Sequence, residues 1–176
     1  MHLATMLMDR NQVVFLQETR GTAGDLAGLP ASHSHFGSFL RPDEIGGSSR
    51  AGGVVTSIHH IYMNRVHTIN EKFLAAGRCH GLHLEGRDFE MLCINVHLCP
   101  QWTFGQKKGL FAAIVKLRRL WPSAVLLIGG DWNFIHSDDR RFDTATATES
   151  AGGDPIANAF EGTFCDLVEL AQPNYT

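Results

Sequence analysis

Cysteine is scarce: four residues (Cys79, Cys93, Cys99 and Cys165) in a chain of 176, with no CxxC pair. That excludes the dense disulfide framework of small secreted domains and makes a reduced, intracellular protein the default expectation. Long apolar runs are missing too. Nothing approaches the roughly 20 residues that a helix needs to cross a bilayer. The opening MHLATMLM has no leading basic residue and runs at once into Asp9 and Arg10, so it reads as a helix fragment rather than a signal core. A basic excess is also absent, since 15 Lys and Arg stand against 18 Asp and Glu for a net charge of −3. With no global positive field, any nucleic-acid contact must come from a local patch.

What is present fits one globular domain: 44% hydrophobic and 19% charged residues in a chain of single-domain length. Ten histidines are many, and Cys79-His80-x-x-His83 invites a zinc reading. On a strand, however, Cys79 and His83 share one face while His80 points to the other, and no second ligand pair sits at a suitable spacing. Zinc is not the expectation.

Leu3, Met6 and Leu7 have helical spacing, and QVVFLQE (12–18) reads as a short buried strand ending in a charge. Residues 19–50 are rich in Gly, Ser and Pro, with a weak strand near 35–40. From Gly52 the pattern turns to strands: GGVVTSI, HHIYMNRVHTI, GRCHGLHLEG and FEMLCINVHL, with EGRD (85–88) as a hairpin connection between the last two. Thr103 followed by Gln106 fits a capping box. It opens a helix with Leu110, Phe111, Ile114 and Leu117 on one face and Lys107, Lys108, Lys116 and Arg118 on the other, stopped at Trp121-Pro122. SAVLLIGGDWN is an apolar strand, 135–155 a polar loop, and IANAFEGTFCDLVEL a short helix and turn. Strands followed by a helix that feeds another strand suggest mixed sheets with helices outside.

Three of these strands finish in polar groups: Glu18, then Asn95-Val96-His97, then Asp131-Trp132-Asn133. Polar endings on buried strands point to a site along one rim of a sheet scaffold. A carboxylate pair with few competing cations is a hard-oxygen site that suits Mg²⁺, with Mn²⁺ as the substitute. An Asp beside such a metal can orient or deprotonate a water while Asn and His hold phosphate oxygens. Gly52-Gly53 reads as a turn or close strand approach, and Trp132 as packing.

Five blocks in order carry a family resemblance: VVFLQETR (13–20), RAGGVVTSI (50–58), INVHLCP (94–100), IGGDWNFIHSDDR (128–140) and DLVELAQPNYT (166–176). Together they resemble the endonuclease/exonuclease/phosphatase superfamily, and most of all the endonuclease domain of non-LTR retrotransposons. The resemblance implies a four-layered α/β sandwich, two packed mixed β-sheets with helices outside, and Mg²⁺-dependent hydrolysis of phosphodiesters in DNA. It implies Glu18 as metal ligand, Asp131 as the group that positions or activates water, Asn133 as its support, and His97 as a contact to the scissile phosphate. Asn95, Asn133 and Arg140 are the expected substrate contacts. His97 stands where many family nucleases carry Tyr. Relative to the family pattern, residues 1–176 are expected to be a partial domain, lacking the first Asn-bearing strand and the late Asp and Ser-Asp-His segment. Two other expectations stay open: a phosphatase or phosphodiesterase on a small phosphorylated substrate, and a non-catalytic remnant. DNA is the expected partner of the complete protein, with no obligate protein partner and no membrane; a retroelement enzyme would be nuclear.

Overall fold

Which way each strand faces is decided by the alternation of its residues. The computed structural model describes residues 2–20, 22–40, 52–133, 140–143 and 148–151, with side chains over 5–20, 22–40 and 52–133. Helix α1 (His2–Met8) leads into strand β1 (Val13–Gln17), a 3₁₀ turn (Ala23–Gly28), β2 (His33–Ser38) and β3 (Val54–His59). A short α2 (His60–Met63) precedes β4 (Val66–Ala75), β5 (Cys79–Gly86) and β6 (Glu90–His97); helix α3 (Phe104–Leu120) then leads to β7 (Val125–Asp131). The first three strands form an antiparallel sheet in the order β1-β3-β2. The second sheet runs β4-β5-β6-β7, antiparallel except where α3 crosses between the parallel pair β6 and β7. A further antiparallel pair, β8 (Arg140–Asp143) and β9 (Thr148–Ala151), falls in the stretch expected as a polar loop.

One face of the four-stranded sheet, with Cys79, Leu92, Ile94 and Val96, packs on Leu110, Phe111, Ile114 and Leu117 of α3. Full burial of such side chains contributes about 1.5–3 kcal/mol each before conformational entropy is counted. Gly81 lies beneath Leu117, and His83 stacks on Trp121 with ring centroids 4.2 Å apart. The opposite face, with Leu82, Leu84, Met91 and Cys93, meets Ile58, Phe15 and Phe36 of the three-stranded sheet. The result is two sheets face to face with helices outside, the α/β sandwich expected from the sequence.

Three local details differ from the sequence reading. HHIYM starts as a helical turn, because the His59 ring accepts a hydrogen bond from the Ile61 amide at 3.0 Å and caps α2. In α1, among the described side chains, Met8 is buried whereas Met6 and Leu7 are exposed. In α3, Lys107 is buried rather than part of the solvated face. The capping box at Thr103 and Gln106 forms as expected.

Candidate active site

The apolar run of β7 ends in Gly129, Gly130 and Asp131. Its inter-sheet face runs Leu127, Gly129, Asp131, and a Cβ on Gly129 would stand 3.0 Å from the ring of Phe15 in the facing sheet. Gly130 has φ +143, and a Cβ there would lie 1.8 Å from the Val96 carbonyl oxygen. The two glycines let the strand end close against its neighbours, and Asp131 emerges at the exposed rim.

His97 ends β6 directly beside Asp131 in the parallel register, and the Leu98 amide continues that pairing by donating to the Asp131 carbonyl at 2.7 Å. Across the other edge of β6, the His97 amide donates to the Arg78 carbonyl at 2.7 Å. The sheet therefore ends in a row of three side chains: a cation, a buried imidazole and a carboxylate. Glu18 reaches this row from the other sheet, its Oε1 3.5 Å from His97 Nε2.

Glu18 gets there through a bent backbone. Both Glu18 (φ 51) and Arg20 (φ 49) are left-handed, in a region that non-glycine residues enter only when their surroundings hold them. Here Gly52 and Gly53 do the holding: Thr19 N–H donates to the Gly53 carbonyl at 3.2 Å, Arg20 N–H to that of Gly52 at 3.0 Å, and Gly53 N–H to that of Gly77 at 2.9 Å. The glycine pair is thus a close approach, as expected, and its place is under the candidate metal ligand. Glu18 Oε2 also meets Arg20 at 3.6 Å, with both groups more than half exposed, so screening leaves that pair little net energy.

Asp131 is oriented by its own loop. Asn133, left-handed at φ 49, returns its N–H to Asp131 Oδ1 at 3.0 Å, while its side-chain amide donates to the Leu98 carbonyl at 2.8 Å. Trp132 packs edge-on against Phe111. Glu18, His97, Asp131 and Asn133 therefore converge on one rim.

Two expected substrate contacts fare differently. Asn95 is wholly buried between the sheets: its Oδ1 accepts from Gln17 Nε2 at 2.7 Å, and its Nδ2 donates to the Val55 and Leu16 carbonyls at 2.9 and 3.2 Å. It ties β6 to β1 and β3 and is closed to substrate, because those two strands cover it on the face that β6 turns toward the other sheet. Arg140 opens β8, and its side chain lies outside the described residues, as does the segment 166–176.

The sequence reading omitted Arg78. Its Nη1 lies 2.8 Å from His97 Nδ1. Arginine has donors only, so Nδ1 is the acceptor and the neutral ring carries its proton on Nε2, toward Glu18. Burial lowers the His97 pKa below its usual value and Arg78 lowers it further, against an upward pull from Glu18 and Asp131. The signal was available in the hairpin: counting back seven residues along each arm from Glu85 and Glu90 brings Arg78 opposite His97.

The donor chemistry at this rim fits a hard divalent cation. Glu18 and Asp131 both offer exposed carboxylates, and Mg²⁺ takes one or two such groups and completes its shell with waters and substrate oxygens. Among the described residues no group of three or more His, Cys, Asp or Glu side chains is arranged to enclose a metal. Nor, among them, is any helix long and apolar enough to cross a membrane.

A family model described as the endonuclease/exonuclease/phosphatase family matches residues 3–173. Among solved structures, the endonuclease domain of TRAS1, a telomere-specific non-LTR retrotransposon, superposes with a TM-score of 0.59 at 14% identity, over 93% of this chain and 64% of that one. TDP2 of D. rerio, solved with a single-strand DNA product, gives 0.53 at 18% identity over 77% of this chain and 54% of that one. The mannosyl-6-phosphatase Bt3783 of Bacteroides thetaiotaomicron gives 0.55 at 12% over 92% and 60%. The chain thus spans less than two thirds of each of these structures. No curated protein matches it significantly. At such identities the superpositions speak for the fold, and the family match extends over nearly the whole sequence. The chain belongs to the endonuclease/exonuclease/phosphatase family.

Proposed function

We propose that this chain carries the cleft of a Mg²⁺-dependent phosphodiesterase that cleaves DNA, in a protein of retroelement origin. The observation that supports this most is the meeting of Glu18 and Asp131, from opposite sheets, beside His97. In this reading Glu18 holds the metal, which when bound would neutralise phosphate charge and acidify a coordinated water. Asp131 takes the proton of the attacking water; its Oδ1 is steadied by the Asn133 amide, which leaves Oδ2 to face that water. His97 donates from Nε2 to a non-bridging phosphate oxygen. Its buried ring and its Arg78 contact keep the proton on that nitrogen, so it serves as a hydrogen-bond donor and not as a base. The preference for DNA follows the TRAS1 endonuclease and the DNA complex of TDP2.

The test is nicking of supercoiled plasmid by the chain with Mg²⁺, with EDTA, and with Glu18→Ala and Asp131→Asn. Cleavage that needs the metal and both carboxylates supports the reading. Turnover of p-nitrophenyl phosphate without nicking would move the substrate to small phosphomonoesters, and nicking that survives EDTA and both substitutions would move the chemistry elsewhere.

A further inference from the structure

Arg78 is unusual for a half-buried cation. Its guanidinium contacts the neutral imidazole of His97, and among the described residues it has no carboxylate within ion-pair reach. Charges withdrawn from water are ordinarily paired, because desolvation is costly unless an opposite charge or good hydrogen bonds replace the water. The imidazole occupies one Nη1 donor direction and supplies no negative charge. Space for the group is provided by Gly52, where a Cβ would stand 3.4 Å from Arg78 Cζ, and its backbone is fixed by the bond to His97 N–H. A planar fork of donors is therefore seated at the strand end, beside the imidazole that Glu18 and Asp131 flank, and among the described residues no carboxylate pairs with it.

We infer that Arg78 is a phosphate-binding residue of this cleft: its guanidinium N–H groups beyond the one that meets His97 take the oxygens of a phosphate ester, while His97 holds the fork in place. This rests on the reading of the cleft as a phosphoester site, and it supplies the substrate contact that Asn95, buried between the sheets, does not. Arginine suits the role because its fixed fork matches two phosphate oxygens at once, which lysine does not.

The experiment uses inorganic phosphate as the probe, titrated into the Mg²⁺-free chain and followed through the Arg78 Nε–Hε and His97 ring resonances and by calorimetry. Wild type is expected to bind phosphate, Arg78→Met to bind it at least about tenfold more weakly, and Arg78→Lys to fall between the two. Lys108→Met removes an exposed positive charge on α3, above the Phe104 ring, and is expected to leave the affinity unchanged. Circular dichroism and melting curves identify any variant that fails to fold. If Arg78→Met does fail, Arg78→Lys still tests the inference, because a merely structural role predicts wild-type affinity for it. Absence of phosphate binding in wild type, equal affinity in the folded Arg78 variants, or an equal loss in Lys108→Met would overturn the inference. Plasmid nicking separates the two ideas. Nicking that needs Glu18, with phosphate affinity indifferent to Arg78, would sink the inference alone. Arg78-dependent phosphate binding without nicking would sink the DNA-cleaving reading alone.

Discussion

Replacing Asn95 by Ala should weaken the fold far more than its size suggests. The side chain has no solvent exposure and makes three hydrogen bonds that cross from one sheet to the other. Each contributes about 0.5–1.5 kcal/mol, and truncation also leaves the half-buried Gln17 amide without its acceptor, at about 1 kcal/mol. The expected loss is therefore about 3–5 kcal/mol, a large share of the roughly 5–15 kcal/mol that holds a domain together. For a chain of this length that corresponds to a fall in Tm of about 10 °C. Asn133→Ala is the internal comparison. Its side chain makes one bond, to the Leu98 carbonyl, in a half-buried loop, so about 1 kcal/mol is expected. Urea unfolding of the two variants, monitored by circular dichroism, compares them directly. A cost below about 1 kcal/mol for Asn95→Ala, or equal costs for both, would refute the view of Asn95 as an inter-sheet brace.

Gly53→Ala should cost about 1–3 kcal/mol, since φ is +100 and the new Cβ would sit 2.5 Å from Thr19 Oγ1. Because Thr19 follows Glu18, Tm and Mg²⁺-dependent hydrolysis should fall together, and an unchanged Tm would contradict this. Stability should also fall on mild acidification. His35, His80 and His97 all have pKa values below the ordinary 6.5, chiefly through burial, so the unfolded chain takes up their protons first. Their contribution is complete above about pH 6.5 and is lost as pH falls through the lower folded values. A urea midpoint that held or rose between pH 7.5 and 5.5 would refute it.

The parts of this structure that the sequence makes legible are those whose signals are local. Thr103 and Gln106, with Leu110, Phe111, Ile114 and Leu117 on one face, define α3 within a single stretch of chain. The apolar run into Gly129 and Gly130 likewise announces a strand that ends at a crowded rim, and Asp131 and Glu18 could be singled out for the same reason. What stayed hidden depends on partners distant in sequence. Gln17 is an ordinary strand-end amide until Asn95, far along the chain, is placed opposite it in the other sheet. Asn95 and His97 share a face of β6, and only the position of β1 and β3 decides that one is sealed and the other lies at the rim. Arg78 gains its meaning from hairpin register together with the missing Cβ of Gly52. The turn at HHIYM was hidden because a histidine cap depends on which ring nitrogen faces the Ile61 amide.

The most direct test of the account is plasmid nicking by the Asp131→Asn chain beside wild type, each with and without Mg²⁺. The substitution keeps the shape of the side chain and of its contact with the Asn133 amide while removing the carboxylate. The account predicts Mg²⁺-dependent nicking by wild type and none by Asp131→Asn, with the same melting temperature for both. Equal nicking by the two proteins would contradict the assignment of Asp131 as the group that acts on water.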